Sequence, residues 1–231
     1  MGTFQEQKRI SVIIPTLDAV DDLPRALAAL AGSASIREFI VSDGGSSDDT
    51  VAIAHAAGAR VVAGPRGRGT QLIAGAAAAT GEWLLFLHAD CRLTPDWEKT
   101  AAEFIAQPGA SDRAGYFGFV LDDPDPGARR LERIVAWRCR VLGLPYGDQG
   151  LLIARSLYDA VGGFAPMPLM EDVDFVRRLG RHCLTPIAAQ AVSSARRYRR
   201  EGYLRRPLHN LLCLSLYFAG VPPQRIAGLY D

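Results

Sequence analysis

Apolar and polar positions along the first ninety residues follow two periods in turn. Ile10-Ser-Val-Ile-Ile14 is a short run rich in β-branched residues that Pro15 ends, which predicts a buried strand. Leu23, Leu27 and Leu30 then share one face of a helix opened by Asp21-Asp22. Residues 38–42 predict a second strand. Ser46-Ser-Asp-Asp49 reads as a capping box for a helix that stops at Gly58. Residues 60–63 predict a third strand, 70–80 an Ala-rich helix ending at Gly81, and 83–87 a fourth strand. Strands separated by helices predict an α/β fold with a mostly parallel sheet and right-handed crossovers. The second half is less regular. Residues 116–121 and 150–154 predict strands; 127–142 and 171–179 predict helices. A loop of Pro166-Met-Pro-Leu-Met170 leads into the last of these.

Composition narrows the picture. A chain of 231 residues, 48% hydrophobic and 22% charged, can fill one large α/β core and is not disordered. A net charge of +1 gives no global field toward nucleic acid. Lys8 and Lys99 are the only lysines. The arginines suit diphosphate ligands, although base composition accounts for most of them. Four cysteines with no C-x-x-C pair argue against a disulfide framework or a zinc site, and fit a reducing cytosol. The apolar run after Lys8-Arg9 is too short for a signal peptide. The expected location is therefore cytoplasmic.

Ligands gather at the carboxyl ends of parallel strands, and four such ends are polar: Pro15-Thr-Leu-Asp18, Ser42-Asp-Gly-Gly-Ser46, Gly64-Pro-Arg-Gly-Arg-Gly69 and His88-Ala-Asp90. Asp43 can accept hydrogen bonds from a base or ribose; the same Ser, Asp and Gly residues also make turns and caps. Backbone N–H groups near Arg66 and Arg68, just before a helix, can hold phosphate. A flexible surface loop is the other reading, and the segment matches neither a P-loop nor a dinucleotide fingerprint. His88 and Asp90, two apart on an extended segment, can point the same way. Together they would suit Mn²⁺, or the carboxylate with phosphate oxygens Mg²⁺. A hydrogen-bonded structural histidine and a turn-capping aspartate are the alternatives. Glu171, Asp172 and Asp174 open a helix, where the dipole favours negative charge, or supply a general base.

In this order, the segments resemble the family-2 glycosyltransferases of the GT-A fold, over residues 10–179. Ser11-Val-Ile-Ile-Pro-Thr16 is similar to the family's opening strand, and Ser42-Asp-Gly-Gly-Ser-Ser-Asp-Asp-Thr50 to its second strand end. His88-Ala-Asp90 stands at the D-x-D position. Gly162-Gly-Phe164 and Met170-Glu-Asp-Val-Asp-Phe175 resemble its acceptor-side motifs. Tyr146-Gly-Asp-Gln149 is similar to a small stand-alone bacterial branch associated with radical-SAM and selenoprotein-like genes. The resemblance implies a single Rossmann-like domain, with residues 1–95 as a nucleotide-binding half, 96–190 as an acceptor-side half, and 191–231 as a basic and apolar C-terminal helix. It implies a nucleotide-sugar donor, a UDP-sugar first, contacted by Pro15, Thr16, Asp18, Asp43, Arg66, Arg68, Ala89 and Asp90. It implies a divalent metal, Mn²⁺ or Mg²⁺, on Asp90, with His88 replacing the first Asp of the motif. Asp172, with Glu171 beside it, would be the base of an inverting transfer to an acceptor hydroxyl. The processive synthases' Q-x-x-R-W motif and long membrane spans are missing, so the expectation is non-processive. Two rivals stay open. A nucleotidyltransferase wants a Gly-rich basic loop where this chain has Pro15 to Asp18. A catalytically weak nucleotide-sugar binder is the rival that His88 keeps alive.

Arg196-Arg-Tyr-Arg-Arg200 and Arg205-Arg206 precede an apolar run over residues 208–221. It is shorter than the roughly 20 residues a membrane span needs. It reads first as a core-packing helix with a solvated basic entry. Weak peripheral contact with an anionic membrane and an arginine lid over the diphosphate are the other two outcomes.

Overall fold

The computed structural model describes residues 9–230; Lys8, part of the leader reading, lies outside them. Strands β1 (Ile10–Thr16), β2 (Ile36–Asp43), β3 (Arg60–Ala63) and β4 (Trp83–Phe86) run parallel, joined by helices α1 (Leu23–Ala28), α2 (Thr50–Ala56) and α3 (Arg68–Ala78). Beyond them come β5 (Cys91–Leu93), α4 (Trp97–Ile105), β6 (Ala114–Leu121), α5 (Pro126–Leu142), β7 (Leu151–Ala154), α6 (Arg155–Ala160), α7 (Glu171–Leu179) and β8 (Leu184–Ser193). All eight strands form one sheet, ordered β3-β2-β1-β4-β7-β6-β8-β5. β7 is antiparallel to both neighbours and β5 to β8; β6 and β8 pair in parallel. The fold is a single α/β domain with a mixed, mostly parallel sheet flanked by helices.

The continuous apolar run of β1 has a direct cause. Val12 and Ile14 pack on one side of the sheet with α1 and α4; Ile13 packs on the other with Leu72 and Ala76 of α3 and Phe175 of α7. A strand covered on both faces has no polar alternation to show. β4 is likewise buried at all four positions.

Several expectations need correction. The capping box at Ser46–Asp49 does not form, because α2 starts at Thr50 and its N-cap Asp49 makes no side-chain bond. Ser46 turns back to Asp43 instead. Asp48 accepts from the backbone N–H of Thr50 and, at 3.1 Å, of Val20, tying this loop to the one after β1. Helix α3 begins at Arg68 rather than Thr70, so Arg68 belongs to its first turn. The C-terminal segment is not one helix: residues 191–193 finish β8, and α8 (Arg196–Glu201), α9 (Arg205–Phe218) and α10 (Pro223–Tyr230) follow.

Candidate active site

The ends of β1 and β4, the first turns of α3 and α7, and the C-terminal helices surround a cavity of about 660 Å³. Pro15, Thr16, Asp18, Arg66, Arg68, His88, Ala89, Asp90 and Asp172 all line it. Asp18 and Met170 line it too, and they are the two non-glycine residues with positive φ, 49° and 67°, among those described. Such backbone costs about 1–3 kcal/mol at each residue and concentrates at functional sites.

Asp43 lies beneath the wall rather than on it. It is 3% exposed, and its carboxylate accepts from Thr16 Oγ1 at 2.9 Å, Gly45 N at 2.9 Å and Ser46 N at 2.8 Å. Burial opposes its ionisation, but hydrogen bonds from Ser46, Thr16 and Gly45 outweigh burial and hold its pKa below the usual range. Both oxygens are engaged in shaping the loop that edges the cavity. Gln71 works beside it: Nε2 donates to the carbonyls of Thr16 and Ser42 at 2.6 and 2.9 Å, clamping the ends of β1 and β2 together.

The anion-binding features sit at the start of α3. Gly67 precedes the helix and no side chain caps it. Gly69 N–H is taken by Met167 O at 3.1 Å, so the N-terminal dipole and the remaining first-turn N–H groups are what the helix can offer an anion. Gly69 lets this turn pack against the backbone of Ala165 and Met167, where a Cβ would overlap the Ala165 carbonyl. Arg68 stands 3.5 Å from Glu171. Burial disfavours its charge, yet Glu171, Asp172, Tyr230 and Asp90 raise its pKa.

The two carboxylates at the start of α7 separate. Asp172 faces the cavity, and its Oδ2 accepts from Gly147 N at 2.8 Å and Oδ1 from Val173 N at 2.7 Å. Glu171 is fully buried behind the wall, and neither of its oxygens has a hydrogen-bond partner. Burial raises its pKa to about 7 against the opposing charge of Arg68.

His88 and Asp90 do not sit on an extended segment as expected. The chain leaves β4 at Phe86, and Cys91 N bonds to His88 O at 3.1 Å, closing a turn. The His88 imidazole packs on Gly147, where a Cβ would overlap it. Burial, with Arg68 and Arg197 nearby, pushes its pKa down to about 3 and keeps it neutral. No group of three His, Cys, Asp or Glu side chains among the described residues converges to hold a metal unaided. The donors do fit a cation shared with diphosphate oxygens. Asp90 and His88 line the same cavity as Asp148, whose buried Oδ1 has no partner.

Asp148 is the residue that sequence reasoning missed. Burial raises its pKa to about 6, with Asp172 and Asp90 adding to the rise and Arg138 and Arg68 opposing it. The Tyr146-Gly-Asp-Gln149 motif was its only signal. Gln149 anchors that turn by donating to Phe117 O at 3.0 Å. Arg197, Arg206 and Tyr230 also line the cavity, from helices far along the chain. Arg196 and Arg199 do not; they pair with Asp21, Asp22, Asp122 and Asp123.

Known proteins share both the sequence and the fold. Residues 11–168 match the family model of glycosyl transferase family 2. An uncharacterised glycosyltransferase of Mycobacterium tuberculosis is 39% identical over 134 residues, covering 57% of this chain and 59% of the relative. A PGL/p-HBAD biosynthesis glycosyltransferase of the same organism is 36% identical over 168 residues, 67% of this chain and 62% of the relative. The matched region thus spans about three-fifths of each relative, 59% and 62%. Among solved structures, M. tuberculosis glucosyl-3-phosphoglycerate synthase in complex with Mn²⁺, uridine diphosphate and glucosyl-3-phosphoglycerate superposes with a TM-score of 0.59 at 22% identity. It covers 94% of this chain and 82% of that one. Residues 1–349 of S. aureus TarS give 0.66 at 17% identity, over 96% and 70%. The likeness of fold is to GT-A glycosyltransferases, and the match over residues 11–168 carries the assignment: the chain belongs to glycosyl transferase family 2.

Proposed function

We propose that this protein moves a glycosyl group from a nucleoside-diphosphate sugar, a UDP-sugar first, to an acceptor hydroxyl, with inversion and one sugar per encounter. The observation that carries the reading is Asp172: a carboxylate on the cavity wall, fixed by two backbone N–H groups and sharing that wall with Arg68 and Asp90. Each Asp172 oxygen keeps a lone pair beyond the one its backbone donor uses. The acceptor hydroxyl can pass its proton there while its oxygen attacks the anomeric carbon. The bond to the diphosphate breaks as the new one forms. Arg66, Arg68 and the dipole at the start of α3 meet the charge that develops on the leaving group. A divalent cation on Asp90, with His88 and Asp148 at hand, would add neutralising charge there. The Mn²⁺ and UDP held by the glucosyl-3-phosphoglycerate synthase favour the same donor and metal here.

Asp172→Asn tests the base. Donor should bind as in wild type by calorimetry, while transfer falls by about 10²–10⁴-fold; unchanged turnover removes Asp172 from that role. Asp90→Asn should weaken donor binding with Mn²⁺ and leave metal-free binding alone. Equal affinities in the two proteins would sink the cation site.

A further inference from the structure

Helix α9 has two unlike faces. Arg206, Asn210 and Leu214 turn inward to wall the cavity. Leu204, just before the helix, and Leu208, Leu211, Leu212 and Phe218 point the other way, 77%, 63%, 57%, 55% and 49% exposed. The helical repeat gathers these five into one stripe opposite the cavity wall. A contiguous apolar stripe left bare on a folded domain marks an interaction surface.

Charge identifies what covers it. Residues 196–230 carry seven arginines and one glutamate, in a chain whose net charge is only +1. Arg205, beside the stripe, and Arg225, on α10, make no ion pair among the described residues, whereas Arg196, Arg199, Arg200 and Arg206 are paired. A second copy docked through this face would bring two basic segments together. Leucines flanked by unpaired arginines fit an anionic lipid surface. No helix among the described residues is long and apolar enough to cross a membrane, so the contact is one of lying on the surface. We propose that the outer face of α9 rests on anionic membrane, with the leucines entering the acyl boundary and Arg205 at the headgroups. The cavity then lies about one helix diameter, roughly 10 Å, from the lipid.

Vesicle co-sedimentation of the full chain tests this without donor or acceptor, so its outcome is independent of the transfer reading. Wild type should pellet with phosphatidylcholine vesicles containing about a quarter phosphatidylglycerol and not with pure phosphatidylcholine. Raising salt from about 0.1 M to about 0.5 M should weaken pelleting through screening. The double variant Leu208→Glu/Leu211→Glu should lose at least about tenfold in vesicle affinity while keeping wild-type donor binding, which certifies its fold. Leu211→Trp should shift its emission to the blue on adding anionic vesicles. Three results overturn the proposal: no pelleting with either vesicle, equal pelleting of wild type and double variant, or equal pelleting with neutral and anionic vesicles. A dimer by light scattering that the double variant dissociates, without lipid binding, assigns the stripe to a second copy instead.

Discussion

Replacing Glu171 with Gln should make the protein more stable at pH 8, although it removes a charged partner of Arg68. Glu171 is 0% exposed, its oxygens have no hydrogen bond, and its ion pair with Arg68 spans 3.5 Å. The pair falls short of offsetting the loss of solvation, so burial lifts the pKa from 4.5 to about 7. At 1.36 kcal/mol for each tenfold change in proton affinity, that rise is worth about 3 kcal/mol. The sign follows from proton linkage. Below pH 4.5 the group is protonated in both folded and unfolded chains and costs nothing by this route. Between pH 4.5 and 7 the unfolded chain gives up its proton first and stability falls. Above pH 7 the full cost is present. Urea denaturation of both proteins from pH 5 to 8.5 measures it, with Trp83 and Trp97, 7% and 3% exposed, as buried reporters. The difference between the two curves isolates Glu171 from Asp148 and His88, which also titrate abnormally. Glu171→Gln should gain on wild type as pH rises, by up to about 3 kcal/mol at pH 8. Parallel curves, or a variant less stable than wild type at pH 8, would refute the reasoning.

Two further substitutions test the cavity wall. Gly147→Ala places a methyl group against the His88 imidazole, displacing the N–H that holds Asp172; transfer should fall at least about tenfold and stability by about 1–3 kcal/mol. Undiminished turnover would mean that Gly147 does not position Asp172. Asp43→Asn keeps an oxygen for the N–H groups of Gly45 and Ser46 but sets its NH2 against the donating hydroxyls of Thr16 and Ser46, costing about 1–3 kcal/mol at neutral pH. Because hydrogen bonds lower the Asp43 pKa, its contribution is present above the unfolded value of 3.8 and fades as pH falls through the folded one. The gap between variant and wild type should therefore narrow toward pH 3, and a gap that stays constant would show that the carboxylate charge contributes nothing.

The first half of the fold was legible because β1, β2 and β4 are covered on one or both faces by helices whose own apolar periods are clear. β8 was not. Ile187, Ala189, Ala191 and Ser193 alternate inward with outward Pro186, Ala188, Gln190 and Val192, but alanine on both faces and serine inside give the alternation almost no hydrophobic contrast. β5, three residues long, carries too little pattern to see. Ser46 and Asp49 have the right residue types for a capping box, yet Asp43 offers Ser46 a buried carboxylate, a partner 3 residues back that local helix rules do not weigh. Asp90 and Asp172 could be located from motif order. Asp148 could not be assigned a role that way, since Gly-Asp-Gln also spells a turn. Only the antiparallel pairing of β7 with β4 brings that turn beside the end of β4. The cavity wall from α9 and α10 depends on Cys213, Leu214 and Ile226 packing against Leu144, Leu169, Met170, Val173 and Val176, contacts between distant segments that no local pattern encodes.

Glu171 and Asp172 show why neighbouring acids in a helix cannot share one task. Successive residues on a helix point about 100° apart, so if one faces the cavity the other faces away. Asp172 takes the cavity side and two backbone N–H groups; Glu171 takes the interior and faces Arg68. Both were expected at the catalytic position, but only Asp172 lines the cavity. On the proposed reading Glu171 acts through Arg68 as a positioning residue: it faces the guanidinium from behind the wall while Arg68 stays 31% exposed and lines the cavity. An arginine held from behind by a poorly solvated carboxylate keeps its orientation and most of its attraction for an incoming anion. On that account Glu171→Gln should raise the KM for donor more than it lowers kcat, the opposite of what loss of a base would do, and the two constants separate the roles of these adjacent carboxylates.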